Sequence, residues 1–478
     1  MDARPPFVLP DPPISPPSIA HLLTSNSAPE GLEEHIVRGH LAELESQAAF
    51  LENVITVFAL QRPDLLPSIE AHALQHADVL RSIEDHKSIL SPMRRLANEL
   101  LAEIFMVVVQ DAFYSESPNS GPTSEYPWVL VRVCRRWNAV ASNTQSLWSW
   151  VYLNLDSMDD ERGAVPVTQL FHKRSGNSPL TVKIQQLYER SKSRVLTVAL
   201  AHCERWQSLT LFATDSCVIY DMAVVRCRLP ALTTLNIDGG ALEAATGVAI
   251  DYNDTFAVVP NLTAARVAIH QALFELPWRQ LTRLSLNVFC REEALPILAQ
   301  LSSALVELRV EWRDPFPLVP DWRGITITLP RLHTLELVSQ CAPAQSAISL
   351  LSFFNTPLLE HLETQGDVDE DAVLSFITRS RCKKSLKSLH FLLDSNNSDR
   401  ALSLVGRMPH LLHLKFGNLS KADIESFTAG CTRIGSNDFR AEDPDISYMQ
   451  MGGLFIKILS CSRLWPFDSL VDAKFEVY

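Results

Sequence analysis

The sequence predicts an α+β chain of several domains: an N-terminal helical hairpin and a small all-α domain, then an α/β solenoid built on a parallel sheet. Three observations predict it. Apolar residues recur at spacings of three and four through residues 30 to 141, as helices with one buried side require. From residue 232 the word Leu-x-x-Leu-x-apolar returns at regular intervals. The 478 residues, 46% hydrophobic and 20% charged, suffice for about two to four domains.

Residues 1–29 are rich in proline and hold no apolar run, so they read as a disordered tail and not as a signal peptide. The hairpin follows over residues 30–88. Arg62-Pro63 divides it, because proline lacks a backbone donor and biases its predecessor away from helix. Leu32, Ile36, Leu41, Leu44, Ala48, Leu51, Ile55 and Phe58 stripe the first helix; Ile69, His72, His76, Val79 and Ile83 stripe the second. His72 and His76 have the spacing of a metal-binding pair, but no third ligand adjoins them, and half-buried helix positions account for both. The stripe lacks a sustained heptad with charged flanks, which favours packing on its own chain over a coiled coil.

Residues 89–150 read as two or three short amphipathic helices. Leu96, Leu100, Ile104 and Val108 fall at spacing four, with Leu101 and Phe105 widening the stripe. Leu130, Val133, Cys134, Trp137 and Ala141 continue at i, i+3, i+4, i+7 and i+11, opposite Arg132, Arg135, Arg136 and Asn138. Between them, residues 111–127 collect Ser115, Ser117, Pro118, Asn119, Ser120, Gly121 and Pro122, a polar connecting loop. A plain helical bundle would show the same periodicity. The residue order, Pro92-Met93-Arg94-Arg95-Leu96 before Glu99-Leu100-Leu101 and Ile104-Phe105, then Val133-Cys134-Arg135-Arg136-Trp137 and Leu147-Trp148, resembles the F-box of the kind abundant in mushroom-forming fungi. Ala97 stands where that family usually has proline. The resemblance implies a docking surface for a Skp-family adaptor made by Leu96, Glu99, Leu100, Ile104 and Phe105, with Val133, Cys134 and Trp137 contributing.

The repeated word starts at Leu232, Leu262, Leu281, Leu305, Leu332, Leu359, Leu386 and Leu411, at intervals of 30, 19, 24, 27, 27, 27 and 25 residues. Those intervals lie close to the roughly 20 to 29 of leucine-rich repeats, which residues 151–440 resemble. One strand and one helix cannot enclose a core, so neighbouring repeats must share an apolar spine. Pro230, Pro260, Pro330 and Pro409 stand two residues before a word, placing a tight turn ahead of each strand. Val151-Leu153-Leu155, Leu180-Val182-Ile184 and Leu209-Leu211 alternate at period two and are expected to begin the same sheet. Residues 441–478, with Met449, Met451, Leu454, Ile456, Ile458 and Leu459, are expected to cap its far end.

Side chains between the spine residues belong to the opposite face of each strand, expected to be concave. Arg283, Asn287, Glu307, Arg309, Glu311, Glu336, Glu363, His390, His413 and Lys415 lie there and are the candidate contacts for a protein substrate, beside the reading of ordinary solvated strand surface. Trp312 and Trp322 flank Asp314-Pro315-Phe316-Pro317, a loop fit either to anchor a partner or to bury its rings.

The net charge of −13 argues against a nucleic-acid surface. Cys134, Cys203, Cys217, Cys227, Cys290, Cys341, Cys382, Cys431 and Cys461 are scattered without C-x-x-C spacing, which suits a reducing compartment, cytoplasm or nucleus. No apolar run reaches the roughly 18 residues of a membrane span. Gly430 and Gly435 have phosphate-loop spacing, but Ser436 and Asn437 follow where lysine and Ser/Thr belong. Asp367, Asp369, Glu370 and Asp371 lack the glycine and distal glutamate of a calcium loop and suit the start of a helix. No catalytic residue, metal or cofactor is expected. The implied role is the substrate-receptor subunit of a Skp–cullin–F-box ubiquitin ligase, its partners an adaptor, through it a cullin, and an unidentified protein substrate. The alternative is a non-catalytic scaffold whose F-box is vestigial or used outside a ligase.

Overall fold

The computed structural model describes residues 14–61, 66–115, 126–156, 161–186, 193–213, 218, 221–238, 254–269, 275–288, 297–301, 303–312, 326–339, 350–365, 370–392, 411–419, 438–443, 446–451 and 454–460. The chain divides into two compact units, one of residues 1–109 and 126–144, the other of residues 110–125 and 145–478. The hairpin therefore shares one unit with residues 89–109 and 126–144 of the F-box-like segment, and its residues 110–125 and 145–150, Leu147 and Trp148 among them, fall in the other.

In the first unit, α2 (Gly31–Gln61) and α3 (Leu66–Ile89) form the expected hairpin. Leu44, Ala48 and Leu51 pack against Val79 and Ile83, with Leu41 at the margin. The tail expectation needs correction over its second half. Helix α1 (Ala20–Thr24) is ordered, and Ile19 and Leu22 are fully buried against Val37 and Ile89. Two apolar side chains one helical turn apart find cover at the open end of the hairpin, so the surrounding prolines do not leave the segment unstructured. Arg94 Nη1 donates to the Leu22 carbonyl at 2.8 Å and so ties α1 to the turn Pro92–Arg94.

Helix α4 (Asn98–Ser115) runs five residues into the stretch expected to be loop. Its buried stripe is Leu101, Phe105 and Val109, displaced by one residue from Leu96, Leu100, Ile104 and Val108. The next segment is also broken where periodicity ran on: α5 (Trp128–Val133) and α6 (Arg135–Asn143) are separated by an extended Cys134. Cys134 Sγ accepts the Trp137 backbone N–H at 3.4 Å and caps α6, one of the donors a helix start leaves without an internal partner.

Among the described residues, the second unit is organised by a sheet of 14 strands. Strands β1 (Trp150–Asn154), β2 (Leu180–Gln186), β3 (Trp206–Ala213), β4 (Thr234–Asp238), β5 (Ala264–Ile269), β6 (Arg283–Val288) and β7 (Glu307–Trp312) follow one another in parallel. Next come β9 (Thr334–Ser339), β11 (His361–Gln365), β12 (Ser388–Leu392) and β13 (His413–Leu419), also parallel. Strand β16 (Leu454–Ser460) lies beside β13, followed by β15 (Ile446–Met451) and β14 (Asp438–Asp443) in antiparallel order. β8 (Ile327–Thr328) and β10 (Phe354–Asn355) form a separate two-stranded ladder that period counting did not suggest.

The repeated words are the spine. Leu232, Leu235, Leu281, Leu284, Leu305, Leu308, Leu332, Leu335, Leu359, Leu362, Leu386 and Leu389 are all buried. Ahead of the strands, the N–H of Leu232, Leu262, Leu332 and Leu359 closes a turn on the carbonyl three residues back, with Pro230, Pro260, Pro330 and Pro357 at the second position, where fixed φ suits it. Pro409 lies outside the described residues. Helices α7 (Glu161–Arg174), α8 (Arg194–Leu200) and α9 (Glu370–Ser380) bury Phe171, Val195, Leu196, Ala199, Val373, Phe376 and Ile377. Glu370 and Asp371 open α9, as the helix dipole favours. After α7, Gly176 turns the chain at φ +53°, held by Arg205, whose Nη2 donates to Ser175 Oγ at 2.8 Å and to the Ser178 carbonyl at 2.7 Å. His172 stacks on His202 with ring centroids 4.1 Å apart, and among the described residues neither of its ring nitrogens has a hydrogen-bond partner.

Candidate functional site

Two surfaces gather the candidate residues, one in each unit. In the first, α4 is apolar on two sides. Beneath, Phe105 is 1% exposed and meets the Trp137 ring at 4.7 Å between centroids, so Phe105 is core and not part of the presented surface. Outside, Leu100 is 55%, Ile104 41% and Val107 65% exposed. Glu99 is exposed beside them and Leu96 half-buried. On α5, Val129 and Val133 are exposed as well, while Cys134 and Trp137 are half-buried, the former as a cap and the latter against Phe105. Val107 and Val129 were missed by periodicity, which ranks a residue by spacing and not by which of two stripes is covered.

The start of α4 is fixed by Arg136 on α6. Its Nη1 donates to the Arg94 carbonyl at 2.8 Å, its Nε to Asn98 Oδ1 at 3.0 Å, and its Nη2 to the Leu96 carbonyl. A guanidinium supplies several donors in one plane, which suits it to collect acceptors from a turn that no helix serves.

In the second unit the strand register brings together what the sequence scattered. Opposite the leucines, Tyr152, Lys183, Thr210, Asn236, Arg266, Ser285, Arg309, Glu336, Glu363, His390, Lys415 and Lys457 stand directly across from one another on successive strands. Arg309, Glu336, Glu363, His390 and Lys415 are thus one row. Asn287 and Glu311 form the next position along β6 and β7, both buried; Glu307 and His413 belong to the position before, and Arg283 to the start of β6. The side chain of Lys415 lies outside the described residues, as do Trp322 and Asp314-Pro315-Phe316-Pro317. The first members of the row went unread, although the period-two alternation of β1, β2 and β3 already assigned Tyr152, Lys183 and Thr210 to this side. The Lys183 ammonium lies over the rings of Tyr152 and Phe212, 5.1 and 5.6 Å from their centroids.

At mid-row the charges interlock. Arg309 Nη1 donates to Glu336 at 2.8 Å, and its Nη2 lies 4.0 Å from Glu311. His390 Nδ1 and Glu363 are 2.7 Å apart. Burial pushes the Glu336 carboxyl above its ordinary range and the neighbouring Glu363 adds to this, while Arg309 opposes both. Such a row can recognise donors and charges. Among the described residues no three His, Cys, Asp or Glu side chains are grouped to hold a metal, and no helix is long and apolar enough to cross a membrane.

No known protein-family model matches the sequence, and no curated protein does.

Proposed function

We propose that this chain is the substrate-receptor subunit of a Skp–cullin–F-box type ubiquitin ligase. The observation that carries the reading is the two-sided helix α4. Leu101, Phe105 and Val109 satisfy its own core, yet Leu100, Ile104 and Val107 remain in solvent, where large apolar side chains in one stripe mark an interaction site. Leu100 and Ile104 are residues of the F-box-like motif. In this reading a Skp-family adaptor covers that stripe, a cullin–RING assembly supplies the chemistry, and the polar row on the leucine-rich-repeat-like sheet holds a protein substrate. The chain itself catalyses nothing and works in cytoplasm or nucleus.

The test is capture of a recombinant Skp-family adaptor by the full-length chain and by its Leu100→Asp variant. Binding by the parent and none by the variant supports the reading. No binding by either refutes it, and binding of adaptor without recruitment of a cullin favours a scaffold outside a ligase.

A further inference from the structure

The segment that carries α1 is tied to the hairpin at three points. Ile19 and Leu22 pack against Val37 and Ile89. The Leu22 and Ser27 carbonyls accept from Arg94 Nη1 at 2.8 and 3.4 Å. Ahead of these, Ser15 Oγ lies 3.2 Å from His86 Nε2. The His86 ring is 1% exposed, and its Nδ1 stands 2.7 Å from the Ser82 carbonyl. A carbonyl only accepts, so Nδ1 carries a hydrogen. Among the described residues no carboxylate pairs with this ring, Glu43 approaching His40 instead, and a buried cation without a counter-charge is strongly disfavoured. Nε2 is therefore the bare nitrogen, and the Ser15 hydroxyl donates to it.

The surroundings leave no other role for that hydroxyl. His40 packs on His86 with 4.8 Å between ring centroids, is itself buried, and has no hydrogen-bond partner at Nε2 among the described residues. A second, independent observation lies in the sequence. Pro16 follows Ser15 directly, and Ser-Pro is the dipeptide that proline-directed protein kinases modify. Ser15 is half-buried, while Ile14, Pro17 and Ser18 around it are exposed. Ser91 and Ser178 also precede proline, but among the described residues no hydrogen bond engages either hydroxyl.

We infer that Ser15 is a phosphorylation site for a proline-directed kinase and that its modification releases residues 14–24 from the hairpin. Ser15 Oγ forms a bond to the γ-phosphorus of ATP as the bond from that phosphorus to the β,γ-bridging oxygen breaks; ADP departs, and the hydroxyl proton passes to the kinase. The product has no hydrogen on Oγ to give His86. It also brings a charge of about −1.5 to −2, which must be desolvated to remain against two buried rings, and among the described residues no arginine or lysine contacts Ser15 to offset it. Release withdraws the Leu22 carbonyl from Arg94, in the turn Pro92–Arg94 that precedes α4. The inference goes beyond the receptor reading and stands without it.

The experiment treats the full-length chain with ATP and, separately, a purified mitogen-activated and a purified cyclin-dependent protein kinase, maps phosphate by tandem mass spectrometry, and compares amide hydrogen exchange before and after. The expected result is phosphate at Ser15, absent from the Ser15→Ala variant, with exchange of residues 19–24 about tenfold or more faster while residues 44–51 and 79–83 of the hairpin core keep their protection. No phosphate at Ser15 with either kinase overturns the inference. So does phosphate at Ser15 with exchange of residues 19–24 unchanged or slowed, the result expected if a cation captures the new group. Protection lost equally from the hairpin core means global unfolding and overturns local release. A full-length chain with phosphoserine installed at position 15 during synthesis gives the exchange result independently of kinase yield. Adaptor capture is a separate readout, and its failure leaves this inference intact.

Discussion

Phe105 and Trp137 lean on each other at 58° with 4.7 Å between ring centroids, and this contact joins α4 to α6 beneath the exposed stripe. Phe105→Ala removes a fully buried ring and one half of an aromatic pair, an expected loss of about 3–5 kcal/mol. Leu100→Asp, one helical turn away but in solvent, is expected to leave stability within about 0.5 kcal/mol. Chemical denaturation of the two variants, followed by tryptophan fluorescence, checks the contrast. Equal destabilisation would mean that the two stripes of α4 are not inner and outer.

Arg136 gathers Arg94, Leu96 and Asn98, so Arg136→Ala leaves those acceptors to water and frees the segment that carries Leu96. About 2 kcal/mol of stability is expected to be lost, since hydrogen bonds from a charged donor are each worth about 1.5–3 kcal/mol and water replaces some. Arg136→Lys is expected to recover little, because an ammonium cannot present the fork. Amide hydrogen exchange over residues 94–101 reads the effect.

His172 is 5% exposed, and burial first, then the charges of His202 and Arg205, hold its pKa down from 6.5 to about 3. In the unfolded chain the ring takes up a proton as pH falls through 6.5; in the folded chain it stays neutral until about 3. Across that window the unfolded state binds the extra proton, so stability falls with pH by up to about 1.4 kcal/mol per unit. Urea melts at pH 7, 6, 5 and 4 are expected to show this slope, and His172→Phe to flatten it, leaving a smaller slope from His202, whose pKa is also lowered by burial and by Arg205. An unchanged slope in the variant would place the proton uptake elsewhere.

Gly176 holds φ +53°, and a Cβ there would meet Gln145 Oε1 at 2.7 Å. Gly176→Ala is expected to cost about 1–2 kcal/mol from backbone conformation, with more from the contact. Adding Gln145→Ala removes the contact but not the backbone strain, so partial rescue in a thermal melt is the expected outcome and full rescue would contradict it.

Which parts of this were legible follows from what each signal measures. The leucine words were legible as a buried spine because, among the described side chains, their leucines are buried alike, and register then follows from shared period. The same logic failed on α4, where Leu96-Leu100-Ile104 and Leu101-Phe105-Val109 have identical spacing and only packing against Trp137 decides which is inner. The break at Cys134 was hidden because cysteine is not among the usual capping residues, so its sulfur acceptor carried no signal. Ile19 and Leu22 were masked by the prolines around them. The placement of β16 beside β13, with β15 and β14 beyond it, depends on pairing across the chain that no local pattern encodes. The charge at mid-row was visible as a list of residues, but not that Arg309, Glu336, Glu363 and His390 would adjoin in that order.

Spine and row alternate on each strand, so a side chain of the row is never one of the leucines that enclose the core. Exchange of Arg309, Glu336 or Glu363 would alter the row while Leu308, Leu335 and Leu362 continue to hold the strands. The lengths of chain between strands vary, yet the same position always returns to the row, because pairing and not chain length sets it. Such a surface can change one strand at a time, and a change in the row requires neither a new fold nor a compensating change in the spine.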